Sequence, residues 1–325
     1  MLTGWIPASK RGPDRAPGER HDATGHNGTP MRPSGSALER PFPLPAALAV
    51  TAAGIGAMLG GSVGLAARPG LGLRAQIAIG TLLLALPTVA ALLHRPGLWP
   101  GVRGTRAVTR RMTGLAVLLG AALWVASAGL MELQSLVLPP TEEYLDAFRA
   151  IHSALAPTGP LDALVSILVI AVLPGACEEL AIRGVLLPSL LRWLGGGGSR
   201  PAWNDTKSRS ESLGASSGIA IAASALLFAA IHLDGYRFLF TFLLGLVFGF
   251  LRLATGSLWP CVAAHASLNA LTFVVAPLVD DPSQPYSPSP VLGVACLVAG
   301  AAVAWPLLRA LARSPTSVDS FTVRP

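Results

Sequence analysis

The stretch PGACEELAIRGVLL, Pro174 to Leu187, places two adjacent glutamates and an arginine inside an otherwise apolar run. An acidic or basic residue at the centre of a membrane helix costs roughly 2.5 to 3.5 kcal/mol on insertion scales. Glu178, Glu179 and Arg183 therefore need a reason to be there. Helical geometry sorts them. Glu179 and Arg183 are four apart, with the acid N-terminal to the base, so they share a face and can neutralise each other. Glu178 points about 100° away. Its own i+4 position is Ile182, which leaves the carboxylate available for chemistry. The bland alternative is one structural ion cluster of all three.

Composition supports the membrane setting. Of 325 residues, 52% are hydrophobic and only 13% charged, and mean hydropathy is +0.56. Soluble domains carry about twice that charged fraction, roughly 25%. The formal net charge is +7, but the basic residues sit between apolar blocks and form no amphipathic face, which argues against nucleic-acid binding. Cys177, Cys261 and Cys296 all lie in apolar sequence without metal spacing, so neither a disulfide framework nor a zinc ribbon is expected.

Eight apolar blocks follow a polar tail: 44–67, 73–93, 112–138, 161–193, 216–233, 237–255, 258–279 and 291–311. They predict an all-α polytopic membrane helix bundle of about eight transmembrane helices. Residues 1–42 have no signal-peptide core and are expected to be a disordered cytoplasmic tail, with Met31 an alternative start. Three GxxxG spacings, Gly56–Gly60, Gly60–Gly64 and Gly245–Gly249, suit close helix packing. Basic loops precede the third block and follow the fourth, whereas PPTEEYLDAF and VDDPSQP are acidic. The positive-inside rule then places both termini in the cytoplasm, the 194–215 linker inside, and the 139–160 and 279–290 loops outside. Arg68 and Arg74 count against that orientation.

Two further constellations join the glutamates. FAAIHLDG holds Phe228 and His232 four apart, so the ring can pack on the imidazole, and HASLNAL holds His265 and Asn269 four apart on one face. Each alone is compatible with a structural role. Together they can bring a carboxylate, two imidazoles and an amide to one place. A carboxylate and an imidazole can take a proton from water, and an imidazole with an amide can donate to a developing oxyanion. The same chain offers Glu178, His232 and His265 as a zinc set. There is no HExxH and no GxSxG, and Cys177 is a weaker alternative as a thiol nucleophile. A proton-coupled transporter and a non-catalytic membrane scaffold or immunity protein are the rival readings. On helix rise alone, His232 would lie about 20 Å deep and His265 about 10 Å deep from the same side, a gap that tilt or a late helix start must close.

EELAIR, FAAIH and HASLN, with the connecting GLVFGFLRLATGSLWPCVAAHASLNA, resemble the CAAX protease and bacteriocin-processing family of intramembrane endopeptidases. That family includes abortive-infection type proteins and the type II CAAX prenyl endopeptidases. The resemblance covers about residues 140 to 275 and departs at Ile182, where the family often has Phe. It implies that Glu178 and His232 activate water and that His265 and Asn269 stabilise the oxyanion. Glu179, Arg183 and Phe228 support the site. No metal is expected, with zinc the alternative. The expected partners are a membrane-associated peptide or protein substrate and the lipid bilayer, in the cell membrane if the source is bacterial. The expected division is accessory transmembrane helices over 43–138, an intramembrane protease core over 139–280, and a last transmembrane helix with its tail over 281–325.

Overall fold

In hydrocarbon every backbone N–H and C=O must bond within its own segment, so the apolar blocks become helices. The computed structural model describes residues 41–68, 70–195, 214–279 and 287–313, and within these the side chains of 276–279 are left aside. Most of the polar tail, most of the 194–215 linker and residues 280–286 lie outside the described residues.

Ten helices and no strand run through the described residues when Pro160–Leu194 is taken as one. They are α1 (Leu44–Ala66), α2 (Leu73–His94), α3 (Trp99–Arg103), α4 (Arg110–Ser135), α5 (Glu142–Leu155), α6 (Pro160–Leu194), α7 (Ala215–Ala230), α8 (Phe238–Thr255), α9 (Trp259–Val279) and α10 (Pro290–Arg313). Six of them, α1, α2, α4, α6, α8 and α10, are long and apolar enough to cross a membrane. Helix α7 and residues Trp259–Val275 of α9 are shorter apolar helices. The eight apolar blocks thus all appear as helices of one bundle.

Small residues let the helices close on one another. A Cβ at Gly245 would lie 2.7 Å from that of Ala225, and one at Gly249 would lie 2.8 Å from Ile221, so the Gly245–Gly249 spacing is the α7–α8 contact. Gly129, Gly293 and Gly300 do the same between α4 and α10, and Gly120 between α4 and α9. A Cβ added at Gly56, Gly60 or Gly64 would meet nothing within 4 Å, so among the described residues nothing packs closely on that run of spacings.

Two segments expected to be loops are structured. The acidic 139–160 stretch contains α5, which begins where the Thr141 hydroxyl accepts the Tyr144 N–H at 3.2 Å and where Glu142 and Glu143 face the positive helix end. The stretch before α4 contains α3 and a strap that ends at Gly104. Gly104 (φ 85°) and Gly256 (φ 65°) both adopt left-handed backbone, and a Cβ on Gly104 would fall 2.1 Å from the Gly256 carbonyl oxygen. Only glycine fits such an approach. The Leu258 N–H donates to the Arg103 carbonyl at 2.8 Å, and Ser257 and Leu258 are buried. The α8–α9 turn is therefore inside the protein.

Acids gather at one end of the bundle. Among the described residues, every acid except Glu178 and Glu179 lies near the end where α4 stops and α6 starts: Glu132, Glu142, Glu143, Asp146, Asp162 and Asp234. Arg74, which argued against this pattern, is answered there. It pairs with Asp162 and donates to the Leu155 carbonyl at 2.9 Å and that of Ala156 at 3.1 Å.

Candidate active site

Helix α6 changes winding twice. Leu168–Val172 and Leu180–Leu186 are π-helical, and the α-helical turn between them, Leu173–Glu179, ends on the two glutamates. Such widened turns recur at functional sites because they re-aim side chains and free backbone groups.

The two carboxylates part as the spacing predicts. Glu179 and Arg183 are fully buried, and Arg183 Nη1 donates to Glu179 Oε1 at 3.0 Å. Arg183 Nη2 donates to the Gly245 carbonyl at 3.1 Å, and the guanidinium lies 4.2 Å from the Phe228 ring centroid and 5.6 Å from that of Phe248. Phe228 also meets the His232 ring edge-on at 4.9 Å, and Phe248 stacks on His265 at 5.3 Å. The same Glu179 oxygen faces His265 Nδ1 at 2.9 Å. A carboxylate holding an arginine accepts only, so Nδ1 carries the hydrogen. Glu179 thus fixes the orientation and tautomer of His265, a long-range contact that spacing along α6 could not reveal.

His232 lies just beyond α7, in the turn that follows Ala230. Its Nδ1 is 2.7 Å from the Phe228 carbonyl oxygen. That oxygen has no hydrogen to give, so Nδ1 again carries it. Both imidazoles therefore turn an Nε2 lone pair the same way in their neutral forms. Both Nε2 atoms lie 3.8 Å from Glu178 Oε2, a buried oxygen with no hydrogen-bond partner. Three acceptor atoms converge with no donor among them. The depth gap between the histidines closes because α9 starts at the buried turn, so His265 sits well inside the fold six residues later.

Asn269 lies one turn beyond His265 on α9, half-buried. Cys177 is buried, and among the described residues no hydrogen bond links it to either histidine.

Sequence reasoning missed Arg252 on α8. It is buried at 2% exposure, and Nε donates to the Arg183 carbonyl at 3.2 Å. Nη2 donates to the Val102 carbonyl at 3.2 Å and that of Gly101 at 3.4 Å. It caps a carbonyl of the second π segment and ties the strap to α6. Its signal was available: an arginine inside an apolar block carries the same insertion penalty as the glutamates.

Turn 231–237, which carries His232, is pinned at the acidic end. Asp234 accepts the Arg237 N–H at 3.0 Å, Arg237 Nε at 2.9 Å and the Tyr144 hydroxyl at 3.0 Å. Gln134 Nε2 donates to the Tyr236 carbonyl at 2.7 Å, and the Ser135 and Tyr236 hydroxyls bond each other. Burial pushes the Tyr144 phenol up to about 12, with Arg237 pulling it down and Asp234 adding to the rise, so it stays a donor.

A half-buried carboxylate between two oriented imidazoles, on helices of an apolar bundle, brings together groups that can exchange a proton with water. Residues 160–271 match the family model described as Rce1-like: Type II CAAX prenyl endopeptidase Rce1-like. The match bears out the resemblance to CAAX proteases and supports a CAAX-type intramembrane protease, a peptide hydrolase in a multi-pass membrane protein. It takes in all three motifs, from Glu178 to Asn269. No curated protein and no solved structure matches the chain.

Proposed function

We propose that the protein is an intramembrane endopeptidase in which Glu178 and His232 hold and deprotonate a water, and His265 with Asn269 faces the oxyanion. The observation that carries this reading is the orphaned, buried Glu178 Oε2, 3.8 Å from both Nε2 atoms. A water in that gap donates to Glu178 and to His232 and accepts from His265 once His265 is imidazolium. Glu179 holds that ring in place, because its oxygen receives Nδ1–H at 2.9 Å. As the water oxygen attacks the peptide carbonyl carbon, its proton moves to Glu178. Charge develops on the carbonyl oxygen, where His265 Nε2–H and the Asn269 amide donate. Collapse expels the amine, which takes the proton from Glu178. Atoms balance as water plus peptide giving acid plus amine.

Zinc is the second reading, favoured by the same convergence of three acceptors. Glu178, His232 and His265 match zinc in donor type, and the Nδ1–H bonds to Glu179 and the Phe228 carbonyl are the outer contacts that such histidines make. The spacing is looser. Tetrahedral zinc at ordinary bond lengths needs ligand atoms about 3.3 Å apart, and both contacts are 3.8 Å. Among the described residues no three such groups already stand at metal-holding spacing. Zinc there would supply Lewis-acid activation of water and carbonyl.

The substrate we propose is a membrane-associated peptide or protein, with the arginine-rich end of the bundle and both termini cytoplasmic. Cleavage of prenylated CAAX peptides follows from the family description alone and is tested by comparing prenylated and bare peptides. Membrane peptides from cells with wild type and Glu178→Gln protein should differ by products that only the wild type forms. Purified enzyme should keep its cleavage after exhaustive chelation. One zinc per chain, lost together with activity and restored by added zinc, defeats the metal-free mechanism and leaves the protease standing.

A further inference from the structure

His232 is aimed at Glu178 from outside any helix, by a turn whose backbone is strained. Leu233, the next residue, has φ 51°, the one left-handed non-glycine among the described residues. Such a conformation is unfavourable for an ordinary side chain and persists only where the surroundings over-determine it. Here the surroundings centre on one carboxylate. Asp234 gathers three donors: the Arg237 N–H, Arg237 Nε and the hydroxyl of Tyr144 from α5. The rest of the turn is tied to the end of α4 through Gln134 and Ser135. Tyr144 also packs on Tyr236 with ring centroids 5.0 Å apart.

We propose that Asp234 is a positioning residue for His232, with Tyr144 as its anchor on α5. Asp234 holds turn 231–237 so that Leu233 stays left-handed, Nδ1 of His232 stays on the Phe228 carbonyl, and Nε2 stays on Glu178. Helix α5, which is too short and too charged to be a span, then couples the acidic end of the molecule to the reacting centre. This rests on the reading of His232 as part of the proteolytic site.

The test uses the full chain in detergent micelles with ¹⁵N-labelled histidine. The His232 signal is identified by its loss in His232→Gln. In wild type it should show one fixed tautomer, with hydrogen on Nδ1. In Asp234→Ala or Tyr144→Phe it should average between tautomers, while the His265 signal stays fixed and the melting temperature stays within about 3 °C. Tyr144→Phe removes one hydroxyl from a half-buried helix, so it decides the matter even if Asp234→Ala fails to fold. A single fixed Nδ1–H form in every folded variant overturns the proposal. The readout needs no substrate. If the tautomer is lost but His232→Gln still cleaves, Asp234 positions His232 and the catalytic role of His232 is what fails.

Discussion

Two stretches of this chain carry the same spacing. FRAIH on α5 and FAAIH at the end of α7 each place Phe four residues before His. Locally they behave alike. His152 Nδ1 lies 2.9 Å from the Phe148 carbonyl oxygen, and His232 Nδ1 lies 2.7 Å from that of Phe228. The ring centroids are 4.0 Å and 4.9 Å apart. In each, Nδ1 carries the hydrogen and Nε2 presents a lone pair. Only His232 then meets a half-buried carboxylate, delivered by another helix. Among the described residues His152 has no carboxylate at ion-pair distance. The spacing lets a histidine ring reach the carbonyl four residues back; what holds it there, and what it then meets, come from the fold.

That contrast can be broken most sharply at the histidines. His232→Gln should lower cleavage about 10⁴-fold, the upper range for a general acid–base group, while His152→Gln stays within about twofold of wild type, as expected away from the reacting groups. Comparable losses in a cleavage assay would mean that the spacing itself matters. The acids come next. Glu179→Gln strands Arg183 and removes the acceptor of His265, and breaking a buried pair costs about 3 to 5 kcal/mol, so folded yield and melting temperature should both fall. If Glu178→Gln loses folding while Glu179→Gln does not, their roles are reversed. Asn269→Ala should lower kcat about 10²- to 10³-fold with KM little changed, because the amide acts on charge that develops in the transition state. A change confined to KM would remove Asn269 from the oxyanion site. The smallest effect belongs to α5. Asp146→Asn removes a carboxylate whose side chain is 74% exposed and 3.4 Å from Arg149, and such surface pairs contribute less than about 1 kcal/mol, a shift near the limit of a thermal melt.

Legibility in the sequence followed the range of the interaction. The apolar blocks declared the helices because hydrocarbon leaves the backbone no other choice. The Glu179–Arg183 pair was visible as an i, i+4 spacing, and Gly245–Gly249 as a packing face. Helix α5 was hidden by its charge: its acids read as an outer loop, although Thr141 followed by Glu142 and Glu143 is a helix start. The strap at 99–104 and the clamp of Arg252 were hidden for another reason. They join residues 150 and 151 positions apart, and no local pattern encodes such a partner. The double duty of Glu179, on Arg183 and on His265, was hidden likewise. Gly56, Gly60 and Gly64 show the converse, a clear spacing against which none of the described residues packs closely.

The buried turn between α8 and α9 also bears on how the chain is made. It lies level with Gly184, whose Cβ would touch both Val102 and Leu258. Ten residues of α6, about 15 Å, run on beyond that level. Non-helical backbone at such a depth is tolerated only when protein surrounds it, and here the surround is the strap at 99–104 together with α6. Both leave the ribosome before α9 does. The strap and α6 that cover the turn before His265 are thus made ahead of the helix that packs on them. That helix docks onto partners already in place, which makes the assembly of this candidate site a late event in the birth of the protein.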